Sequence, residues 1–186
     1  MIKIIPASQY KTIPWKNGKG QTTELAISKN GTLDNFNWRL SIASVVEDGP
    51  FSDFSGYERN LILLEGYGIS LTHDDRIDVL EKPLSLSSFD GASKTVGKLI
   101  NGPIKDFNLM TKQGLYKVKV ETYRDQTKKQ LKQTEMVFIY SNQSNTVIHS
   151  TSEKREIASG HLAILSEEAE VKVLGRGMII IQLKQT

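Results

Sequence analysis

The chain has 186 residues, of which 38% are hydrophobic and 24% are charged, and its formal net charge is +3. This composition predicts one domain or two small, closely packed halves, and a charge this small predicts no nucleic-acid-binding surface. The absence of cysteine excludes disulfides, thiolate metal sites and cysteine nucleophiles, and without a signal-peptide pattern or a membrane-length apolar run we expect a cytoplasmic protein.

Short strands are predicted along most of the chain. Residues 37–46 alternate, which places Arg39 and Ser41 on one face and Trp38 on the other. Residues 61–64 are continuously apolar and are predicted to be buried on both faces. Further strands are predicted at 68–72, 84–89, 115–122, 136–140, 146–149, 162–165, 171–174 and 178–183. Many short strands separated by turns are typical of a sandwich or barrel.

Two segments are less clear. Residues 128–132 fit either a single helical turn or the charged tip of a hairpin. Residues 58–71 can be aligned with residues 135–148 at an offset of about 77, because a Glu, an apolar run, a polar turn and a short strand follow each other in both. Either a duplicated barrel or coincidence between two ordinary β-meanders explains this weak repeat.

The three histidines do not form a metal-binding pattern. His73, His149 and His161 are far apart, whereas a metal-binding cupin needs clustered imidazoles with a carboxylate. We therefore expect ordinary surface or edge histidines, no metal and no cofactor.

The loop at residues 15–24 is a candidate anion site. Gly18 and Gly20 allow a tight turn whose backbone N–H groups converge, and Lys16 and Lys19 add positive charge. Such a loop suits a carboxylate or phosphate, although a plain turn fits equally well.

Two arginines, Arg39 and Arg59, project either into a pocket or into solvent. If the face that carries Arg39 and Ser41 looks into a barrel, a guanidinium and a hydroxyl project into a pocket, where arginine binds carboxylates well. Arg59 shares its face with Leu61 and Leu63, so it too projects into a pocket if that face looks into a barrel. If these faces look outward, the residues are merely solvated.

Two further segments could border a pocket. Residues 48–54 carry two Phe side chains that either close a pocket or, as we favour, staple the end of a barrel. In residues 102–110, Asp106 and Asn108 alternate with Phe107 and Leu109, so the polar pair can line a cleft. No nucleophile with a positioned base is evident, and nothing selects an acid–base pair among the glutamates.

These segments together resemble the HutD/Ves family. The motifs are WKNGKGQTTE at 15–24, WRLSIA at 38–43, DGPFSDF at 48–54, GYER at 56–59, FDG at 89–91 and GPIKDFNLM at 102–110. The resemblance implies an all-β bicupin, with two jelly-roll β-barrels from one chain, commonly without metal. The first barrel would span residues 1–110 and the second half residues 111–186, with N-terminal strands able to cross between them.

The resemblance also implies a function and a set of ligand-binding residues. The family's shared polar positions fall on Asn17, Glu24, Arg39, Ser41, Arg59, Asp106 and Asn108. Lys19 departs from the family, which usually has a third consecutive Gly there. The expected role is regulation or metabolite sensing in bacterial histidine utilisation through a small carboxylate such as N-formylglutamate, with a homodimer as the expected assembly. The alternatives are a metal-independent cupin-type isomerase, lyase or hydrolase, and a protein that only presents an interaction surface.

Overall fold

The computed structural model describes residues 1–15, 18, 20–132, 136–166 and 170–186. Strands are the dominant secondary structure of these residues, which confirms the predicted all-β class. The helical structure that they contain is a single 3₁₀ turn at Ala7–Gln9. None of the described residues forms a helix with the length and apolar character that crossing a membrane requires.

Nineteen strands are present in the described residues. In chain order they are β1 (Ile2–Ile5), β2 (Lys11–Pro14), β3 (Gly20–Ile27), β4 (Trp38–Val45), β5 (Gly49–Pro50), β6 (Tyr57–Glu65), β7 (Ile69–His73), β8 (Arg76–Leu80), β9 (Leu86–Asp90), β10 (Thr95–Leu99), β11 (Ile104–Lys112), β12 (Tyr116–Tyr123), β13 (Thr127–Lys132), β14 (Met136–Ser141), β15 (Thr146–His149), β16 (Lys154–Ile157), β17 (Leu162–Ser166), β18 (Glu170–Gly175) and β19 (Met178–Gln185).

The chain divides into two compact units. The N-terminal unit is Tyr10–Leu115, and the C-terminal unit combines Tyr116–Thr186 with Met1–Gln9. The first segment belongs to the C-terminal unit because β1 pairs with β17, for example Ile2 with Leu165. The sequence analysis assigned residues 1–110 to a first barrel and residues 111–186 to a second. That two-barrel arrangement stays a prediction.

The same strand order occurs in both units. In the N-terminal unit the sheets run β2-β3-β4-β11-β6-β9 and β5-β10-β7-β8. In the C-terminal unit they run β1-β17-β14-β19-β12 and β13-β18-β15-β16. Each strand from β4 to β11 thus has a counterpart eight strands later in the same order, and the two units differ in the strands added at the sheet edges, β3 beside β4 and β1 beside β17. The predicted offset of about 77 residues aligns Ile69, where β7 begins, with Thr146, where β15 begins. This shared order favours duplication over coincidence as the origin of the repeat.

Strand β11 lies at the centre of the six-stranded sheet and sets the positions of the polar side chains. Asn108 is opposite Ser41 of β4 and Leu61 of β6, and Met110 is opposite Arg39 and Arg59. Directly opposed residues of antiparallel strands project to the same face. We call this the inner face, because its apolar residues pack with those of the four-stranded sheet in one core.

That core fills part of the space between the two sheets of the N-terminal unit. The six-stranded sheet contributes Ala43, Leu61 and Leu63, and the four-stranded sheet contributes Ile69 and Leu71. Residues 61–64 are at most 2% exposed, so the prediction that this run is buried on both faces is confirmed. The remaining part of the inner face carries the polar residues.

The prediction for residues 128–132 was wrong in both of its forms. They belong to β13, which pairs with β18 from Thr127 opposite Gly175 to Lys132 opposite Glu170. Leu131 is buried while its neighbours are exposed, so the segment follows the period of two of an edge strand. Its many lysines hid that period, because only one of the inward positions is apolar.

Candidate functional site

A cavity of about 820 Å³ opens on the inner face of the N-terminal unit. Three neighbouring strands supply its buried polar residues: Arg39 and Ser41 from β4, Arg59 from β6 and Asn108 from β11. Further polar residues that border it are Thr22, Glu47, Asp48 and Ser52. We call it the inner cavity. A concave site with a few converging polar groups in a largely apolar wall is the usual form of a small-molecule site.

Arg59 is the most unusual group of the inner cavity. Its side chain is almost fully buried, and its guanidinium carbon lies 5.3 Å from the ring centre of Phe51, 5.5 Å from that of Phe54 and 5.1 Å from that of Phe89. Burial lowers the pKa of Arg59 to about 10, against the opposing effect of Asp106. The guanidinium therefore remains charged at neutral pH, and its aromatic contacts stabilise the charge by cation–π attraction.

The hydrogen bonds of Arg59 use two of its three guanidinium nitrogens. Nη2 donates to Oδ1 of Asn108 at 3.1 Å, and Nη1 donates to the backbone oxygen of Ser52 at 3.3 Å. Its Nε–H is shielded from solvent and finds no acceptor among the described residues. A buried charged donor without a partner is costly, and because this nitrogen has almost no accessible surface, the guanidinium must turn for a ligand atom in the cavity to accept from it.

Asp106 lies behind Asn108 and has no exposed surface. Asn108 Nδ2 donates to Asp106 Oδ1, so the Asn108 amide connects the carboxyl group to Arg59. Asp106 Oδ2 has no donor within the described parts of the chain. Burial raises the pKa of Asp106 to about 7, although the charge of Arg59 and the Asn108 hydrogen bond act in the opposite direction.

Arg39 forms the second charged part of the wall. Its Nε donates to Glu24 Oε2 at 2.8 Å, with the Arg39 side chain 7% exposed and the Glu24 side chain 22% exposed. Glu24 lies on β3 opposite Ser41, which brings the carboxylate to the same face. This ion pair holds the Arg39 side chain in one orientation beside the cavity.

A second cavity of about 660 Å³ adjoins the first, and we call it the outer cavity. Both cavities are bordered by the same five residues, Trp15, Thr22, Leu33, Arg39 and Phe54. The outer cavity is completed by more exposed side chains, which are Ile13, Asp34, Asp53, Ser55 and Tyr57.

The structure brings most of the predicted site residues together. Four of them line the inner cavity directly: Arg39, Ser41, Arg59 and Asn108. Glu24 and Asp106 lie behind Arg39 and Asn108 and touch them. Asn17, like Lys16 and Lys19 of the predicted anion loop, lies outside the described residues.

The aromatic residues around Arg59 were not predicted as part of the site. Phe51 packs on the core and also lines the inner cavity, so residues 48–54 combine the two roles that the sequence left open. Phe89 lies on β9 directly opposite Arg59. The only sequence signal for this cluster was the pair of phenylalanines beside a Gly-Pro turn, because strand pairing, and not sequence spacing, brings Phe89 to Arg59.

His73 is not a surface histidine, so that expectation was wrong. It is 4% exposed, its ring lies 4.2 Å from that of Phe89, and its ring nitrogens contact Thr95 Oγ1 at 2.9 Å and Ser87 Oγ at 3.3 Å. Burial lowers the pKa of His73, which favours the neutral ring. The side chain is buried because the last residue of β7 points inward with Ile69 and Leu71. Within the described residues no three histidine, aspartate or glutamate side chains come together in a way that would hold a metal ion.

Comparison with known proteins identifies similar chains over most of this length. The family model HutD matches residues 7–181. A protein of Pseudomonas putida named as an uncharacterized 21.2 kDa protein in the hutC 3′ region is 33% identical over 174 residues, which cover 94% of this chain and 83% of that one. Protein Ves of Escherichia fergusonii is 39% identical over 107 residues, 57% of this chain and 56% of Ves.

Solved structures show the same fold. The structure of HutD from Pseudomonas fluorescens SBW25 matches with a TM-score of 0.86 at 30% identity and covers 100% of both chains. A cupin 2 conserved barrel domain protein from Leptotrichia buccalis matches with a TM-score of 0.56 at 9% identity, over 94% of this chain and 96% of that one. The second likeness concerns the fold alone and makes the architecture cupin-like.

Proposed function

The chain belongs to the HutD family, as its motifs between residues 15 and 110 predict, and from that premise we propose a small-molecule-binding protein of histidine utilisation. In this proposal it is a metal-free bicupin with two jelly-roll barrels that acts as a regulator or metabolite sensor. Its ligand is a small carboxylate such as N-formylglutamate. The hut locus in the name of the Pseudomonas putida relative supports the metabolic context.

One observation carries the proposal: a buried guanidinium borders a cavity and has an unused N–H. Arg59 Nε needs an acceptor, and a carboxylate oxygen is the acceptor that arginine binds best. An anion also compensates the positive charge that the aromatic surroundings keep out of water. Arg39, on the same inner face and paired with Glu24 through Nε, supplies a second cation for a second carboxylate, and Ser41 and Asn108 offer hydrogen bonds to a formamide group.

The test is calorimetric titration of N-formylglutamate into the wild-type protein and into Arg59→Gln and Arg39→Gln variants, with and without EDTA. We expect saturable binding that EDTA does not change. Loss of a buried charged partner costs about 2–5 kcal/mol, so the Arg59→Gln variant should bind at least about 30-fold more weakly. Thermal shifts with the same ligand give an independent reading, because a ligand that binds only the folded state raises its melting temperature.

A matched control is available in the C-terminal unit. Arg155 is also ion-paired, with Glu153, but its side chain is 52% exposed. The Arg155→Gln variant should bind like the wild type. Equal affinity in all four proteins would show that the cavity arginines do not hold the ligand, and binding that EDTA abolishes would show that the site needs a metal.

A further inference from the structure

The outer cavity has a different chemistry from the inner one. Its walls are mainly apolar and aromatic, with Trp15, Phe54 and Tyr57 as the large rings and Ile13 and Leu33 as aliphatic side chains. Leu33 is 51% exposed and Ile13 is 53% exposed, although they are large hydrophobic residues. Exposed apolar side chains that gather around a concavity mark a binding surface.

The rings of the outer cavity are fixed by hydrogen bonds. Trp15 Nε1 donates to Thr22 Oγ1 at 2.8 Å, which orients the indole on β3. The Tyr57 hydroxyl accepts from the backbone N–H of Phe36 at 3.1 Å, and its ring stacks on that of Phe36 at 4.3 Å. Side chains that are already ordered lose little entropy when a ligand packs on them.

The two cavities differ in where their charges lie. Arg59 places a buried positive charge at the inner cavity, where the acidic Glu47 and Asp48 are exposed. Arg39 borders both cavities, and the acidic side chains that line only the outer one are Asp34 and Asp53. A ligand that spans both cavities is therefore oriented with its anionic end inward. The group that it leaves in the outer cavity is not anionic.

The combined size of the two cavities indicates the length of the ligand. The inner cavity alone, at about 820 Å³, lies in the range of sites that enclose drug-sized molecules. A single short dicarboxylate would leave much of it and all of the outer cavity to water. A longer ligand uses the shared wall of Trp15, Leu33 and Phe54 as a continuous path.

We propose that the ligand is an amphipathic carboxylate, with its anionic end at Arg59 and a flat apolar group packed on Trp15 and Leu33. An amino acid acylated with an aromatic group belongs to this class. The inference rests on the proposed function, because it assigns the specificity of the same site.

The test compares two ligands with the same head group, N-formylglutamate and N-benzoylglutamate. Dissociation constants are measured by calorimetry for the wild type, Trp15→Ala, Leu33→Ala and the control Leu86→Ala, whose leucine is 37% exposed and lines neither cavity. In the wild type and the control we expect N-benzoylglutamate to bind about tenfold more tightly, since aromatic packing adds to the area that is buried. In the two cavity variants the ratio of the two dissociation constants should fall below about threefold, whatever the change in the affinity for N-formylglutamate itself, because both residues also border the inner cavity.

The outcomes separate this inference from the proposed function. If neither compound binds the wild type, the proposed function fails. If both bind equally well, or if the benzoyl advantage survives in Trp15→Ala and Leu33→Ala, the amphipathic class is wrong and the carboxylate site stands. Leu33 is half exposed, so its variant keeps the test decisive even if Trp15→Ala does not fold.

Discussion

At the scale of single residues, Asp106 makes stability depend on pH. Burial raises its pKa to about 7 in the folded protein, against an ordinary value of 3.8. Between these two values the unfolded chain has lost the proton while the folded chain keeps it, so this group lowers stability as pH rises from about 4 to 7 and has a constant effect above 7. We expect the Asp106→Asn variant to gain stability relative to the wild type over that range, by about 1.4 kcal/mol for each unit of pKa difference.

Urea denaturation of both proteins at pH 4, 5.5, 7 and 8.5 measures this difference. The comparison with the variant is needed because other carboxylates contribute their own pH dependence. A difference between wild type and variant that stays constant from pH 4 to 8.5 would show that Asp106 titrates normally.

The same carboxyl group should affect ligand binding. An ionised Asp106 partly compensates Arg59 through the Asn108 amide, whereas a protonated one leaves the guanidinium charge for the ligand. N-Formylglutamate stays fully ionised between pH 6 and 8, so its affinity should increase about fivefold or more as pH falls through that range. In Asp106→Asn the affinity should not change with pH. Calorimetric titrations at pH 6, 7 and 8 decide the matter, and a wild-type affinity that increases with pH would contradict the argument.

Some residues of the site could be predicted from the sequence and others could not. Alternation alone places Arg39 and Ser41 on one face, because side chains of a strand project to opposite sides in turn. It does not tell which face is inner, since that depends on the sheet packed above it. The partners of Arg59 were not predictable, because Phe89 and Asn108 meet it only through the register of three strands.

At the scale of elements, Gly20 sets the fit between β3 and β4. A Cβ atom at this position would collide with the backbone oxygen of Ser44 and lie 2.9 Å from Cζ3 of Trp15. The backbone cannot move without loss of the strand pairing, so Gly20→Ala should reduce stability by about 2–3 kcal/mol and displace the indole. Gly49→Ala is the matched control, because no heavy atom lies within 4 Å of its added Cβ. Chemical denaturation of both variants tests this, and equal stabilities would mean that β3 can shift.

Strands differ in how well they can be predicted from their sequences. Several with a buried apolar face were predicted nearly to their ends; residues 146–149, for example, are β15. Strands β1, β3, β8 and β10 were not predicted, and of β6 only residues 61–64 were. Strand β2 was missed because all four of its residues are exposed, and β16 because only its last residue is buried. Edge strands of this kind are specified by their partners, since half of their backbone groups need pairing while few of their side chains need burial.

At the scale of the whole molecule, two units with the same strand order have different interiors. In the C-terminal unit the core includes Val137 and Ile139 of β14 and Met178 and Ile180 of β19, all apolar and buried. In the N-terminal unit the corresponding strands, β6 and β11, carry Arg59 and Asn108 beside the cavity. The sequence indicated this duplication only as a weak repeat, because the two inner faces have diverged in chemistry while the order of pairing persists.

This division predicts that stability and binding can be changed separately. Ile139→Ala should cost about 2–5 kcal/mol by leaving a cavity in the C-terminal core, with no change in the affinity for N-formylglutamate. Leu63→Ala removes as many carbon atoms from the N-terminal core, and because Leu63 is opposite Asp106 it should also weaken binding. Denaturation and calorimetry on both variants, at a temperature where each is folded, make the comparison. Weaker binding in Ile139→Ala would show that the two interiors are coupled.

The unused Nε–H of Arg59 has a spectroscopic consequence. A guanidinium proton that is shielded from solvent exchanges slowly with water, and the nearby phenyl rings shift its resonance through their ring currents. In a ¹⁵N–¹H spectrum this signal should therefore stand apart from those of the exposed arginines. When an oxygen atom of a ligand accepts the proton, the resonance moves downfield. The chain thus contains its own probe for occupancy of the inner cavity, without any label attached to the ligand.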